Sequence, residues 1–152
     1  MAEVSRRAGV GMATLYRNFP GRRELLEALY TDEVDALCQA SDAADAEPPG
    51  ERFAAWVRRF FAYFTSKRPI AAELLAHVDG DDPVFGENRA RVLATGAPLL
   101  EAAQRADAIR DDLTLEQILD MTIAIAKLHS DPDYVEPLLQ TMLDGLRRTN
   151  AA

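Results

Sequence analysis

The segment ERFAAWVRRFFAYFTSK, residues 51–67, sets the tightest constraint on the fold. Phe53, Trp56, Val57, Phe60, Phe61 and Phe64 recur at steps of three and four, with Arg52, Arg58 and Arg59 between them. A helix with about 3.6 residues per turn gathers those apolar side chains on one face and turns the arginines away. Such a face has to bury against other elements. No segment of the chain alternates apolar and polar residues in twos with the Val, Ile and Thr enrichment of strands. The expected fold class is therefore all-α.

The remaining punctuation divides the chain. The spacing predicts a short helix over 2–8 ended by Gly9, and a second over 12–19 ended by Pro20-Gly21. A longer helix follows from Arg22 to about Ala40, with Leu25, Leu26, Leu29, Val34 and Leu37 as its apolar positions. The acidic run SDAADAEPPG, 41–50, reads as a loop. Two parts result, 1–40 and 41–152. Pro69 is expected to stop the aromatic helix, with a short apolar helix over 70–78 before the turn Asp79-Gly80-Asp81. Asp82-Pro83 cap and open a helix to Thr95, which Gly96 and Pro98 are expected to interrupt before a stretch over 99–106. Thr114 and Gln117 have capping-box spacing and open a helix to His129. Asp131-Pro132-Asp133 reads as a turn, and Pro137 as the first turn of a last helix reaching Arg148.

The formal net charge of -8 conceals an asymmetry. Residues 1–23 hold five arginines and one acid, a net +4, while the rest of the chain carries -12. A basic head on an acidic body suits a protein that meets a polyanion at one end only. Cys38 is the single cysteine, which excludes an intrachain disulfide and a cysteine zinc site. His77 and His129 are too few for a histidine metal site, and no cofactor is expected. No apolar run approaches the roughly 20 residues of a membrane span, and MAEVSRRAGV lacks a signal peptide's apolar stretch. The expected location is cytoplasmic. No Gly-x-Ser-x-Gly, P-loop or metal-ligand spacing is present, and the carboxylates fall in turns and on solvent-facing arcs. The chain does not read as an enzyme.

Two short helices joined by a tight turn, with a third close behind, make a helix-turn-helix pattern. The residues AEVSRRAGVGMATLYRNFPGRRELLEALY resemble the DNA-binding head of the TetR (tetracycline-repressor-like) family of bacterial regulators. The resemblance rests on Ala8-Gly9-Val10, Thr14-Leu15-Tyr16, Phe19 and the basic Arg22. DAIRDDLTLEQILDM and LLQTMLDGLRR are similar, less specifically, to the end of many such regulators. The resemblance implies double-stranded operator DNA as a partner. A recognition helix must be small where it enters the major groove and must be pinned by phosphate contacts. Gly11, Met12 and Ala13 allow close approach; Thr14 can donate or accept; Arg17 can reach a guanine edge or a phosphate. Tyr16 and Asn18 sit where the family usually contacts phosphates, and Arg22 stands in place of its usual lysine. Tyr16 also reads as a partly buried packing residue, and Arg6 and Arg7 read equally as solvated or as DNA-facing. Gly11 replaces the usual Ser or Thr cap, and Asn18 the usual histidine. Leu15 and Phe19, four apart, point inward.

The helix 115–129 is apolar over an arc of roughly 220° at 100° per residue, far wider than one core stripe. The last helix offers Leu138, Leu139, Met142, Leu143 and Leu146. In the TetR family these helices pair across a two-fold axis, which implies a homodimer with an interface over Ile118, Leu119, Thr122, Ile123, Leu139, Met142, Leu143 and Leu146. Burial of both helices within one chain is the alternative. The aromatic helix suggests a cavity lined by Trp56, Phe60, Phe61 and Phe64 with His77, Met121 and Ile125, although the same stripe also reads as plain core. An unidentified small-molecule effector is implied by the family alone.

TetR heads begin with a further helix that covers the inner faces of the other two, and the sequence lacks it. Val4, Val10, Leu15 and Phe19 then lose apolar cover. The expectation is that Met1 is an internal methionine and that an amphipathic helix is encoded in frame upstream; a truncation with a defective head is the second explanation. The architecture expected is a helix-turn-helix head, its first helix missing, on a C-terminal helical bundle for ligand binding and dimerisation. The function expected is a DNA-binding transcriptional regulator, a repressor released by its effector. The alternative is a dimeric all-helical ligand-binding or interaction protein without effective DNA binding.

Overall fold

The computed structural model describes residues 1–39, 47–76, 82–128 and 131–148. These form α1 (Ala2–Ala8), α2 (Met12–Asn18), α3 (Arg22–Gln39), α4 (Pro49–Leu75), α5 (Pro83–Arg105), α6 (Leu115–Leu128) and α7 (Pro132–Leu146). The fold is all-α. Among the described residues a single antiparallel bridge, between Ile109 and Arg147, ties the α5–α6 connection to the end of α7. There Arg110 N donates to Leu146 O at 2.9 Å and Arg148 N to Ala108 O at 3.1 Å.

The ends of the short helices follow the local chemistry. Gly9 ends α1 at φ 67°, ψ 23°, a left-handed conformation that costs a residue with a β-carbon about 1–2 kcal/mol. The capping box of α6 forms in both directions. Gln117 N donates to Thr114 Oγ1 at 3.2 Å, and Thr114 N donates to Gln117 Oε1 at 2.9 Å.

Three expected boundaries are corrected, all at prolines. Pro69 and Pro98 lie inside α4 and α5, so the pieces predicted on either side of each join into helices of 27 and 23 residues. An interior proline costs about 3 kcal/mol through a lost N–H and a clash with the carbonyl four residues back. Burial on both sides outweighs that cost. Phe60 and Leu74 flank Pro69, Val92 and Leu100 flank Pro98, and all four are buried, each worth about 1.5–3 kcal/mol. The proline rings themselves are exposed. Gly96 is not a breaker either; it packs beneath the Trp56 ring. At the last helix, Asp131 accepts from Asp133 N at 3.0 Å. Pro132 is thus the first helical residue, and Pro137 lies inside α7.

The core is built around α4. Phe53, Trp56 and Phe60 stack in succession at centroid separations of 6.3 and 6.1 Å, and Phe60 meets Tyr63 at 6.0 Å. Val34 and Leu37 of α3, Val92 and Leu100 of α5, Ile118 of α6 and Leu139, Leu143 and Leu146 of α7 close around them. The second half of α3 is therefore part of the body core, while its first turn follows directly on the head. One continuous helix links the two.

Candidate nucleic-acid interface and body cavity

In α2 only Leu15 is buried. Met12, Ala13, Thr14, Tyr16, Arg17 and Asn18 are all exposed, as is Gly11 before them. Tyr16 is 45% exposed, so its ring presents to solvent rather than packing. Asn18 Nδ2 donates to Thr14 O at 2.9 Å, and Arg17 donates to Thr14 Oγ1 at 3.2 Å. A helix of two turns reads a groove with one short face, held here by one buried leucine. Phe19 is half-buried, while Val4 and Val10 are exposed.

The turn before α2 is held by a residue that sequence reasoning passed over. Ser5 is buried; its hydroxyl donates to Val10 O at 2.5 Å, and Val10 N donates back to Ser5 O at 3.2 Å. Arg6 and Arg7 of the same helix both reach Glu3, at 2.5 and 2.8 Å. Those guanidinium groups hold the Glu3 carboxyl below the usual carboxylate range. Both arginines thus keep to the solvated side of α1.

Arg22 is placed differently from the other expected DNA contacts. Its guanidinium meets Glu73 of α4 at 2.8 Å, and neighbouring Arg23 meets Asp82, the cap of α5, at 3.0 Å. The first turn of α3 is thus tied to two body helices by ion pairs. All but Asp82 among these groups are substantially exposed, so each pair is worth about 0.2–1 kcal/mol and yields readily to a competing anion.

A half-open cavity of about 240 Å³ lies between α3, α4, α5 and α6. Tyr30 enters it from α3, and Phe60, Tyr63 and Phe64 from α4. Helix α5 supplies Phe85, Asn88, Arg89, Val92 and Leu93, and α6 supplies Leu119 and Ile123. Tyr30 and Phe85 meet edge to face at 5.5 Å and 72°. Burial, and then a hydrogen bond with Tyr30, push the Tyr63 hydroxyl well above its ordinary pKa, so it stays protonated. Beside it Lys67, buried, pairs with Glu33 at 2.7 Å.

Of the expected lining residues, Phe60 and Phe64 face this cavity. Trp56 lies beneath it in the core, and Phe61 lines a separate cleft with Thr65, Pro69 and Val135. Met121 and Ile125 are half-buried and outside the cavity wall. His77 and His129 fall outside the described residues. Sequence reasoning missed Tyr30 of α3 and Phe85 of α5, which meet each other and the α4 aromatics only through contacts far apart along the chain.

The family model described as "Bacterial regulatory proteins, tetR family" matches residues 1–29, and that described as "Transcriptional regulator SbtR-like, C-terminal domain" matches residues 48–148. The chain belongs to the TetR family. The crystal structure of the TetR transcriptional regulator SCO0520 from Streptomyces coelicolor is similar to it, with a TM-score of 0.80 and 38% sequence identity. The match covers 96% of this chain and 86% of that one. No curated protein matches. The chain is a DNA-binding transcriptional regulator, with α1 and α2 as the helix-turn-helix of its head.

Within this TetR regulator the last two helices divide their faces. Ile118, Leu119, Thr122, Leu139, Leu143 and Leu146, expected at a dimer interface, are buried inside the single chain. Leu119 and Ile123 instead wall the cavity. Of the expected set only Ile123 and Met142 are half-exposed. The apolar surface left on these helices is a second stripe. On α6 it runs through Met121, Ile125 and Leu128, and on α7 through Tyr134, Leu138 and Met142. Leu128, Tyr134 and Leu138 are 63%, 58% and 38% exposed. Steps of four and three on α6, and of four and four on α7, put each set on one helix face. Among the described residues no group of three metal-ligating side chains assembles, and no helix is long and apolar enough to cross a membrane.

Proposed function

We propose that the chain works as a homodimeric, operator-binding repressor in the cytoplasm, released from DNA when a small molecule fills the α3–α4–α5–α6 cavity. The observation that carries this reading is the position of Tyr30. It lines the cavity from the same helix whose first turn follows the recognition helix α2. A ligand that moves Tyr30 therefore moves the helix on which the head sits. Its effect on DNA affinity equals its preference for one head position over the other.

In this reading Gly11, Met12, Ala13 and Thr14 approach the major groove. Arg17 contacts a base edge or phosphate, and Tyr16 and Asn18 hold the backbone. Arg22 exchanges Glu73 for a phosphate on binding. The partner chain packs on the outward stripe through Leu128, Tyr134, Leu138 and Met142. We divide the protein into a head and connecting helix over 1–40 and a regulatory body over 41–152. No catalytic role is assigned.

Footprinting on the DNA upstream of its own gene tests this. Two protected half-sites centred roughly 34–36 Å apart, one helical turn, are expected for paired heads. A single protected half-site, unchanged when Leu138→Asp is introduced, contradicts the dimer.

A further inference from the structure

The cavity also carries information about the chemistry of its occupant. We infer that it takes a small, uncharged, planar aromatic molecule bearing one hydroxyl or carbonyl group, lodged against Phe60, Phe64 and Phe85 with its polar group at Tyr63 and Asn88. The inference rests on the reading of this cavity as the effector site.

Size comes first. A volume of about 240 Å³, filled at interior packing density, holds on the order of ten to fifteen non-hydrogen atoms. Two fused rings fit within it, whereas a long acyl chain has to extend out through the open side. The wall comes second. Five aromatic rings border the space, and the Tyr30–Phe85 pair already shows the edge-to-face geometry that an aromatic guest would extend.

Charge comes third. Glu33 of α3 and Lys67 of α4 neutralise each other at 2.7 Å beside Tyr63, and Arg89 of α5 pairs with Glu116 of α6 at 3.3 Å. Arg89 and Lys127, whose ammonium lies 6.0 Å from the Phe64 ring centroid, are both exposed to water, so an ionised guest would give up its own water for solvent-screened counter-ions only. Polar chemistry comes last. Asn88 is buried, and its Nδ2 is occupied by Val84 O at 2.8 Å and Thr31 Oγ1 at 3.4 Å. Its Oδ1 receives Arg91 only at the 3.5 Å limit, which leaves acceptor capacity for a guest hydroxyl. Tyr30 and Tyr63 both line the space, and a tyrosine hydroxyl can donate to a guest carbonyl or phenol oxygen.

The test is calorimetric titration of the full chain, without DNA, with 2-naphthol, 2-naphthoate and 1-decanol. Because no DNA is present, its outcome is separable from failure of operator binding. We expect 2-naphthol to bind at least roughly ten-fold more tightly than either other probe. Trp56, which stacks on Phe60, should change its emission on binding. Ile123→Trp, which fills the cavity from α6, should weaken 2-naphthol by roughly ten-fold or more. Tyr63→Phe, a milder change, should weaken 2-naphthol several-fold and leave naphthalene unaffected. No binding of 2-naphthol, or equal or tighter binding of the anion or the aliphatic alcohol, overturns the ligand class. Binding of 2-naphthol unchanged in both variants overturns the site.

Discussion

Helices α2 and α4 reach opposite solutions to the same problem. In α2 the one buried side chain is Leu15, and every other residue faces solvent. In α4 the residues Phe53, Trp56, Val57, Phe60 and Leu74 are all buried and organise the core. A helix that reads a groove has to keep its face free, so it cannot draw stability from that face. The head is held instead by local devices: Gly9 in its left-handed turn, the Ser5–Val10 hydrogen bonds, and the Arg22 and Arg23 ion pairs to the body. A seven-residue helix is too short to persist alone in water. The head is thus loosely attached by design of its chemistry, while the body is cohesive and can carry a cavity.

The comparison can be broken most forcefully at Trp56. Trp56→Ala should cost about 3–5 kcal/mol and unfold the body, seen as loss of helical circular dichroism at lower urea. Leu15→Ala should cost about 2–5 kcal/mol in the head alone. DNA binding should disappear while the urea midpoint of Trp56 fluorescence stays in place. A midpoint that falls by the same amount would make head and body one cooperative unit. Gly96→Ala should cost about 1–3 kcal/mol, because a β-carbon there overlaps the Trp56 ring and comes within 3.0 Å of Leu115; thermal unfolding of the body reports it. The smallest effect is expected at the junction. Glu73→Gln removes an exposed ion pair worth about 0.2–1 kcal/mol and releases Arg22. It should tighten DNA binding by no more than roughly five-fold.

The sequence was most readable where a local rule decides. The Gly9 stop, the Asp82 cap, the Thr114–Gln117 box and the Thr-Leu-Tyr run of α2 each depend on neighbours a few residues apart. Their outcome follows from short-range chemistry. Reading failed where distant burial overrides local preference. Pro69, Pro98 and Pro137 looked like boundaries, but core contacts on both sides keep the helices continuous. The faces of the last two helices are settled by distant contacts as well. A helix apolar over a wide arc announces two buried faces without saying which one the chain keeps for itself. The structure spends Ile118, Thr122, Leu139 and Leu143 on its own core and leaves Leu128, Tyr134 and Leu138 outside. The cavity was half legible. Phe60 and Phe64 belong to a visible stripe, whereas Tyr30, Phe85 and Asn88 meet them only through the fold.

The most direct measurement is fluorescence anisotropy of labelled DNA from upstream of the gene, titrated with wild type and with Arg17→Ala at several salt concentrations. Exposed α2 should make the affinity steeply salt-dependent. If Arg17 neutralises a phosphate in each of two heads, its loss should weaken binding and reduce the slope of log K against log salt by about 2 per dimer. Equal affinity and equal slope for the two proteins would contradict α2 as the DNA-reading helix.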